Sequence, residues 1–250
     1  MKNFNTFKLS YVYDFNISDG GLGDCIKFFM FLVKKAINDN VSVFYLVNNI
    51  PIERYLLLKY KNMYINRSDI NKLNYKIFKP YDFYNEWDTE EKKKIAIEKI
   101  NIPFSNIFEF SRDIINHSKQ ILNIDHYNSI HVRLGDKFLE TDIHSVVCKN
   151  DTRNYNQTII DNYIINNKHK NIILFSDNNA YKQMMKKKFN YLIINNVVIG
   201  HTSLTNTNET QIVDTISELF MLSNSKEILC NNSGFSVVAS KFFEIPLFYV

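Results

Sequence analysis

Short apolar runs alternate along this chain with longer amphipathic stretches, the pattern of parallel strands separated by covering helices. In the first half, a glycine turn at 20–23 leads into a predicted helix over 24–37, a strand over 41–47 and a helix near 52–60. The stretch to about residue 79 shows no clear period, 80–88 is aromatic and loop-like, and 90–100 is charged and helical. The second half reads more cleanly. Helices are expected over 111–122, 155–166, 180–188, 209–223 and 234–243, and strands over 128–134, 171–176, 191–195, 227–230 and 246–250. No sequence repeat is visible. The alternation predicts an α/β chain of two domains, 1–125 and 126–250.

A length of 250 residues suits one large domain or two small ones, each able to bury a core. The composition, 45% hydrophobic and 22% charged, is that of an ordinary globular protein. Asparagine is abundant, but apolar runs interrupt it throughout, so it reads as coding bias rather than disorder. The net charge of +4 is small and spread, which argues against a nucleic-acid partner. The lysine runs at 92–94 and 186–188 read as solvated helix faces, with phosphate binding as the alternative.

Cys25, Cys148 and Cys230 have neither metal-ligand spacing nor a paired framework, which points to a reducing compartment. The amino-terminal segment lacks the long apolar core of a signal peptide, and the apolar stretch at 28–33 is too short to span a bilayer. A cytoplasmic location without a transmembrane segment is therefore expected. Sequons such as those at Asn66 and Asn156 arise by chance in so asparagine-rich a chain.

Ligands of open parallel sheets sit beyond the carboxyl ends of the strands, so the residues after each predicted strand are the first place to look for chemistry. His131 and Arg133 share one face of the strand over 128–134, and Gly135 and Asp136 follow in a turn. Arg133 can fork two oxygens of a diphosphate, or it can pair with Asp136 and close the turn. Asp177, in Phe175-Ser176-Asp177-Asn178, can accept from the N–H groups of a guanine or cap the next helix. Asn231-Asn232-Ser233-Gly234-Phe235-Ser236 forms a helix start suited to phosphate, or an ordinary cap. Gly20-Gly21-Leu22-Gly23-Asp24 enters an apolar helix but lacks the Lys-Ser/Thr of a P-loop, against an ATPase.

The order of these four elements resembles the α1,2-fucosyltransferases and the wider GDP-fucose transferase superfamily. There a GGLGN turn, an HxRRxD motif, an SDD and an NSSFSWWAA-like helix start follow one another. This chain has GGLGD at 20–24, HVRLGD at 131–136, FSD at 175–177 and NSGFSVVAS at 232–240. The resemblance implies a GT-B fold, two Rossmann-like domains with parallel sheets facing a central cleft. It implies an inverting transfer from GDP-fucose to a sugar hydroxyl of a glycan acceptor, with no metal or other cofactor.

On that resemblance Arg133 binds the diphosphate, His131 positions the nucleotide and Asp177 reads the guanine. Asn232, Ser233, Gly234, Phe235 and Ser236 hold phosphate or fucose, and Gly21, Gly23 and Asp24 help place the acceptor. Inversion needs a base, and Asp136, Glu140 and Asp24 are the carboxylates beside the motifs, Glu140 being favoured. An exposed loop position for Glu140 and an ion pair with Arg133 for Asp136 are the structural alternatives.

The chain departs from the family pattern at several points. Leu134 replaces the second arginine, Asp24 and Cys25 replace Asn and Gln, Asn178 replaces the second Asp, and Val237 and Val238 replace the paired Trp. The GLGD turn is also similar to that of heptosyltransferases, GT-B enzymes with ADP-sugar donors. Another nucleotide-sugar donor, or a non-catalytic nucleotide-sugar or glycan binder, are the competing expectations.

Overall fold

The structure is a computed structural model that describes residues 8–16, 20–86, 99–140, 152–200 and 207–250, without the side chains of 84–86. The helix expected over 90–100, apart from its last two residues, Cys148 and the lysines at 92–94 lie outside the described residues. The chain divides into two compact units, Met1–Glu109 and Phe110–Val250.

The first unit holds β1 (Leu9–Tyr13), α1 (Leu22–Asn38), β2 (Ser42–Leu46), α2 (Ile52–Tyr55), β3 (Leu56–Leu58), β4 (Tyr64–Ile65), β5 (Asn74–Phe78) and α3 (Pro80–Glu86). Four of these strands form a sheet in the order β4-β2-β1-β5, parallel throughout. A short β6 (Phe108–Phe110) pairs with β3. Ile26, Phe28, Phe29, Met30 and Leu32 of α1 are fully buried, and Val12, Leu46, Ile65 and Ile70 form a further apolar cluster.

The LSYVY segment, to which the sequence analysis assigns no element, is an interior strand of this sheet. Two expectations are corrected here. The helix near 52–60 ends at Tyr55, because the Leu56–Leu58 run is extended and pairs with β6. Residues 80–86 are helical rather than loop-like, since the fixed φ of Pro80 suits a first helical position.

The second unit contains α4 (Arg112–Ile121), β7 (Asn128–Val132), α5 (Gln157–Asn166), β8 (Ile172–Ser176), α6 (Asn179–Lys188), β9 (Ile193–Ile194), α7 (Glu209–Ser223), β10 (Ile228–Cys230), α8 (Gly234–Phe242) and β11 (Leu247–Tyr249). Its sheet runs β11-β10-β7-β8-β9, all parallel. The order therefore reverses between β7 and β10, the topological switch point at which such sheets bind ligands.

β7 and β8 are buried along their whole length, as expected of strands covered on both faces. Ile130, Val132, Ile160, Ile164, Leu174 and Met185 make the core beneath them. Small polar residues start the helices. The side chains of Ser111, Asn156, Asn178 and Asn208 accept from the N–H groups of Ile114, Ile159, Tyr181 and Gln211.

The division between units precedes the expected residue 125, because α4 packs on α7. His117 Nε2 lies 2.7 Å from Asp214 Oδ1, Ser118 Oγ donates to the Ser217 carbonyl at 3.4 Å, and the rings of Phe110 and Phe220 meet edge to face at 5.2 Å. Among the described residues, no helix is long and apolar enough to cross a membrane.

Candidate functional site

The carboxyl ends of β7, β8 and β10 bring most of the candidate residues together in the second unit. The registers set this up: His131 is level with Cys230 of β10 and with Phe175 of β8. Beyond the strand ends, Asn231 clamps the β7 turn. Its Oδ1 accepts from the Arg133 backbone N–H at 2.9 Å, and its Nδ2 donates to the Arg133 carbonyl at 2.7 Å. A fully buried Asn with both ends of its amide used holds the two strand ends in fixed relation.

Gly135 has φ 109° and ψ 166°, a conformation open essentially to glycine alone. The turn it makes is closed by Asp177 at the end of β8. Asp177 Oδ1 accepts from the N–H of Leu134 at 2.8 Å, and Oδ2 from the N–H of Gly135 at 3.1 Å. Burial raises the Asp177 pKa, while those backbone donors and the Arg133 charge oppose the rise. Asn178, rather than Asp177, caps α6, and each Asp177 oxygen accepts one backbone N–H of the β7 turn.

Arg133 and Asp136 form the ion pair that the sequence allowed, with Nη2 2.6 Å from Oδ1. Asp136 is buried and holds the guanidinium in place. Glu140, the favoured base, is likewise engaged. Oε1 accepts from the backbone N–H of Asn179 at 2.6 Å and Oε2 from its side-chain amide at 2.8 Å. A carboxylate at the amino end of α6 gains from the exposed N–H groups and the helix dipole there, which accounts for its position.

His131 is buried, with Nδ1 2.5 Å from Ser236 Oγ on α8 and its ring 5.7 Å from that of Phe235. Burial, helped by the Arg133 charge, lowers its pKa to about 3, so the ring is neutral. Ser233 precedes α8, and its buried hydroxyl has no hydrogen-bond partner among the described residues. Asn232 and Gly234 are exposed, and no atom would approach a Cβ at Gly234 within 4 Å, so space is open at this helix start.

Two buried charges were not singled out from the sequence. Glu218 of α7 is 2% exposed, with Oε1 3.9 Å from His131 Nε2. Burial raises its pKa to about 7 against the pull of Lys182. Lys182 of α6 is fully buried and donates to Asn195 Oδ1 at 2.7 Å. Burial lowers its pKa, opposed first by Glu218. No signal in the sequence singled out Glu218: α7 carries polar residues at 209–211, 214, 215, 217 and 218, yet every residue from Asp214 to Leu219 is buried.

Glu218, His131, Arg133, Asp177, Leu139 and Phe235 line a cavity of about 70 Å³, which Ile199 and Gly200 complete. The space admits a small group, not a whole nucleotide.

The glycine turn belongs to the first unit. Gly21 caps α1, its carbonyl accepting from the N–H groups of Asp24 and Cys25 at 3.0 Å each, and Gly23 lies in the first helical turn. Asp24 accepts from the Gly21 N–H at 3.3 Å and from Lys27 Nζ at 2.6 Å, so its carboxylate organises the helix start. A Cβ at Gly20 would fall 2.9 Å from that side chain, which leaves room there for glycine alone. Cys25 and Cys230 are buried thiols without a disulfide.

No protein-family model and no curated protein matches the chain. Solved structures do. A mutant of Arabidopsis thaliana FUT1 in complex with GDP superposes with a TM-score of 0.55 at 11% identity, over 97% of this chain and 70% of that one. NodZ α-1,6-fucosyltransferase co-crystallised with GDP gives 0.53 at 12% identity, over 93% and 92%. Fucosyltransferase NodZ from Bradyrhizobium gives 0.54 at 12% identity, over 93% of each. With its two parallel α/β sheets, the chain has the GT-B fold of these fucosyltransferase structures.

Proposed function

We propose that the chain is a glycosyltransferase that binds a nucleoside-diphosphate sugar in its second unit, GDP-fucose first, and passes the sugar with inversion to a hydroxyl of a glycan. The observation that carries this reading is the pairing of Arg133 with the open start of α8 across the β7–β10 switch point. Asp136 fixes the guanidinium, and the Ser233 hydroxyl, without a partner among the described residues, would be the side-chain donor to a phosphate oxygen. The first N–H groups of a helix lack intrahelical partners and favour anions. Charge developing on a departing diphosphate would meet preorganised donors on both sides, the arrangement that accelerates such departures without metal assistance. The GDP bound to similarly folded FUT1 and NodZ structures supports guanine as the base.

A second reading keeps the transferase and changes the donor. The backbone contacts of both Asp177 oxygens and the replacement of the second arginine by Leu134, which packs against the core, favour it.

Thermal unfolding with GDP, ADP, UDP and CDP, each with and without magnesium, separates the two. A nucleotide at ~100 times its dissociation constant adds about 2.7 kcal/mol to the native state. Stabilisation by GDP alone, independent of magnesium, is expected. Selectivity for another nucleotide transfers the assignment to the second reading, and no response to any of them removes both.

A further inference from the structure

Helices α5 and α6 lie side by side on the second sheet. Lys188 Nζ of α6 is 2.6 Å from Asp161 Oδ2 of α5, and Tyr181 OH donates to Gln157 Oε1 at 3.2 Å. Their inward residues, among them Ile160, Ile164, Tyr181 and Met185, belong to the core of this unit. Their outward faces, with the turns that lead into β8 and β9, form a surface outside the candidate site.

That surface carries charge of one sign. From 157 to 191 the chain has six lysines against two aspartates. Neither aspartate balances them at the surface: Asp161 is tied to Lys188, and Asp177 is buried at the carboxyl end of β8. Three of the lysines serve the fold. Lys182 is buried, Lys188 holds Asp161, and Lys186 donates to the carbonyls of Asn190 and Leu192 at 2.7 and 2.6 Å, as a cation at a helix end does. Lys168, Lys170 and Lys187 are exposed, and their ammonium groups have no hydrogen bond or ion pair among the described residues. Lys168 and Lys170 precede β8, and Lys187 is in the last turn of α6, so all three gather at the amino end of this parallel sheet.

Large apolar side chains stand among them. Ile165 is 51% exposed, Met184 52% and Tyr191 40%. Tyr191 OH is 3.5 Å from the Ile164 carbonyl, which sets its ring beside the last turn of α5, the turn that carries Ile165. Met184 lies one helical turn before Lys187 and Lys188. Scattered exposed apolar residues are ordinary, but a group of them inside a basic patch without exposed carboxylates marks an interaction surface.

The composition selects the partner. No arginine occurs between 157 and 191, so the patch lacks the planar fork suited to the phosphates of a nucleic acid. Exposed isoleucine and methionine gain nothing from a sugar–phosphate backbone. At a bilayer surface both parts are used: lysines meet anionic headgroups, and apolar side chains enter the boundary of the acyl chains. A tyrosine there has an apolar ring and a wet hydroxyl, which suits the same boundary.

We infer that this corner of the second unit docks on an anionic lipid membrane, with Lys168, Lys170 and Lys187 on the headgroups and Ile165, Met184 and Tyr191 entering between them. The inference does not rest on the transferase reading. Docking by the amino end leaves the carboxyl ends of β7, β8 and β10, where the candidate site lies, directed away from the lipid.

Flotation of the full chain with vesicles tests this. Vesicles of phosphatidylcholine with one third phosphatidylglycerol should carry the protein at low salt, and pure phosphatidylcholine should not. Salt at about 1 M, which screens charges beyond about 3 Å, should release most of it. Lys168→Gln, Lys170→Gln and Lys187→Gln together should weaken partitioning about a hundredfold, about fivefold for each lysine. Ile165→Ser with Tyr191→Ser should weaken it about tenfold and leave the salt dependence unchanged. Lys59→Gln, Lys79→Gln and Lys99→Gln, an equal loss of charge in the first unit, should leave partitioning almost unaltered, and melting curves check that every variant is folded.

No flotation with the anionic vesicles overturns the inference, as does an equal loss from the control substitutions. Tighter binding to duplex DNA than to these vesicles, indifferent to the Ile165 and Tyr191 substitutions, would assign the surface to a polyanion and overturn it as well.

Discussion

His131 Nδ1 lies 2.5 Å from Ser236 Oγ, tying the middle of the second sheet to the first turns of α8. A neutral imidazole with one nitrogen fixed by a hydroxyl turns the other toward Glu218, 3.9 Å away. The same contact positions the helix start at which the Ser233 hydroxyl has no partner among the described residues. Four predictions follow from the site so built.

Arg133→Ala should abolish stabilisation by GDP and also lower intrinsic stability, because Asp136 is buried and loses its cation. Leaving such a group poorly satisfied costs about 1–3 kcal/mol. The double variant Arg133→Ala, Asp136→Ala should recover much of that stability without recovering the GDP response. Recovery of both would make the pair structural only. Paired melting curves with and without GDP decide it.

Asp177→Asn should destabilise the fold by about 1–3 kcal/mol, since one of the two side-chain oxygens that accept from backbone N–H groups becomes a donor facing a donor. Affinity for GDP and ADP should fall by the same factor. A loss confined to GDP, measured by calorimetry, would restore Asp177 as the guanine reader.

Gly135→Ala should cost about 1–3 kcal/mol, the strain of a side chain in this φ,ψ region. Denaturant midpoints measure it, and a neutral result would mean the turn can relax into another conformation. Gly234→Ala, at a position with open space around it, serves as the comparison and should be nearly silent in stability.

The pH dependence should contain two opposed contributions. His131 falls from its ordinary 6.5 to about 3 in the native state, so the unfolded chain binds its proton first, and stability is lost as pH drops below about 6.5. Glu218 rises from 4.5 to about 7, so the native state holds its proton longer, and stability is lost as pH rises from about 4.5 to 7. Between about pH 4.5 and 6.5 the two slopes oppose one another. Glu218→Gln removes one of them, and the variant's stability should then fall with acid across this window more steeply than that of the unaltered chain. Equal slopes in both proteins would show that the pair titrates otherwise.

The second sheet was legible in the sequence because its strands are apolar runs bounded by Asn, Asp and Gly, and its helices begin at good caps. The first unit was less so. Leu56–Leu58 continues the apolar run of a helix, and three leucines carry no period that separates strand from helix. β1 escaped notice because its polar Ser10 is buried along with its apolar neighbours, which blurs the alternation of a half-exposed strand. At the candidate site, position was legible and partnership was not. Asp177 and Glu140 stand beside the motifs as expected, yet their oxygens go to backbone and side-chain donors brought in from distant sequence. Glu218 and Lys182 were missed because single charges on helices are read as solvated.

The packing of α4 on α7 bears on how such a chain can be recombined. A crossover near residue 126 would draw α4 from one parent and α7 from the other, so that His117 and Asp214, or Phe110 and Phe220, would have to match across lineages. A crossover ahead of Phe110 keeps each pair within one parent. The heritable module around the candidate site is therefore larger than the sheet that carries it, and chimeras built to exchange that site should be joined upstream of α4.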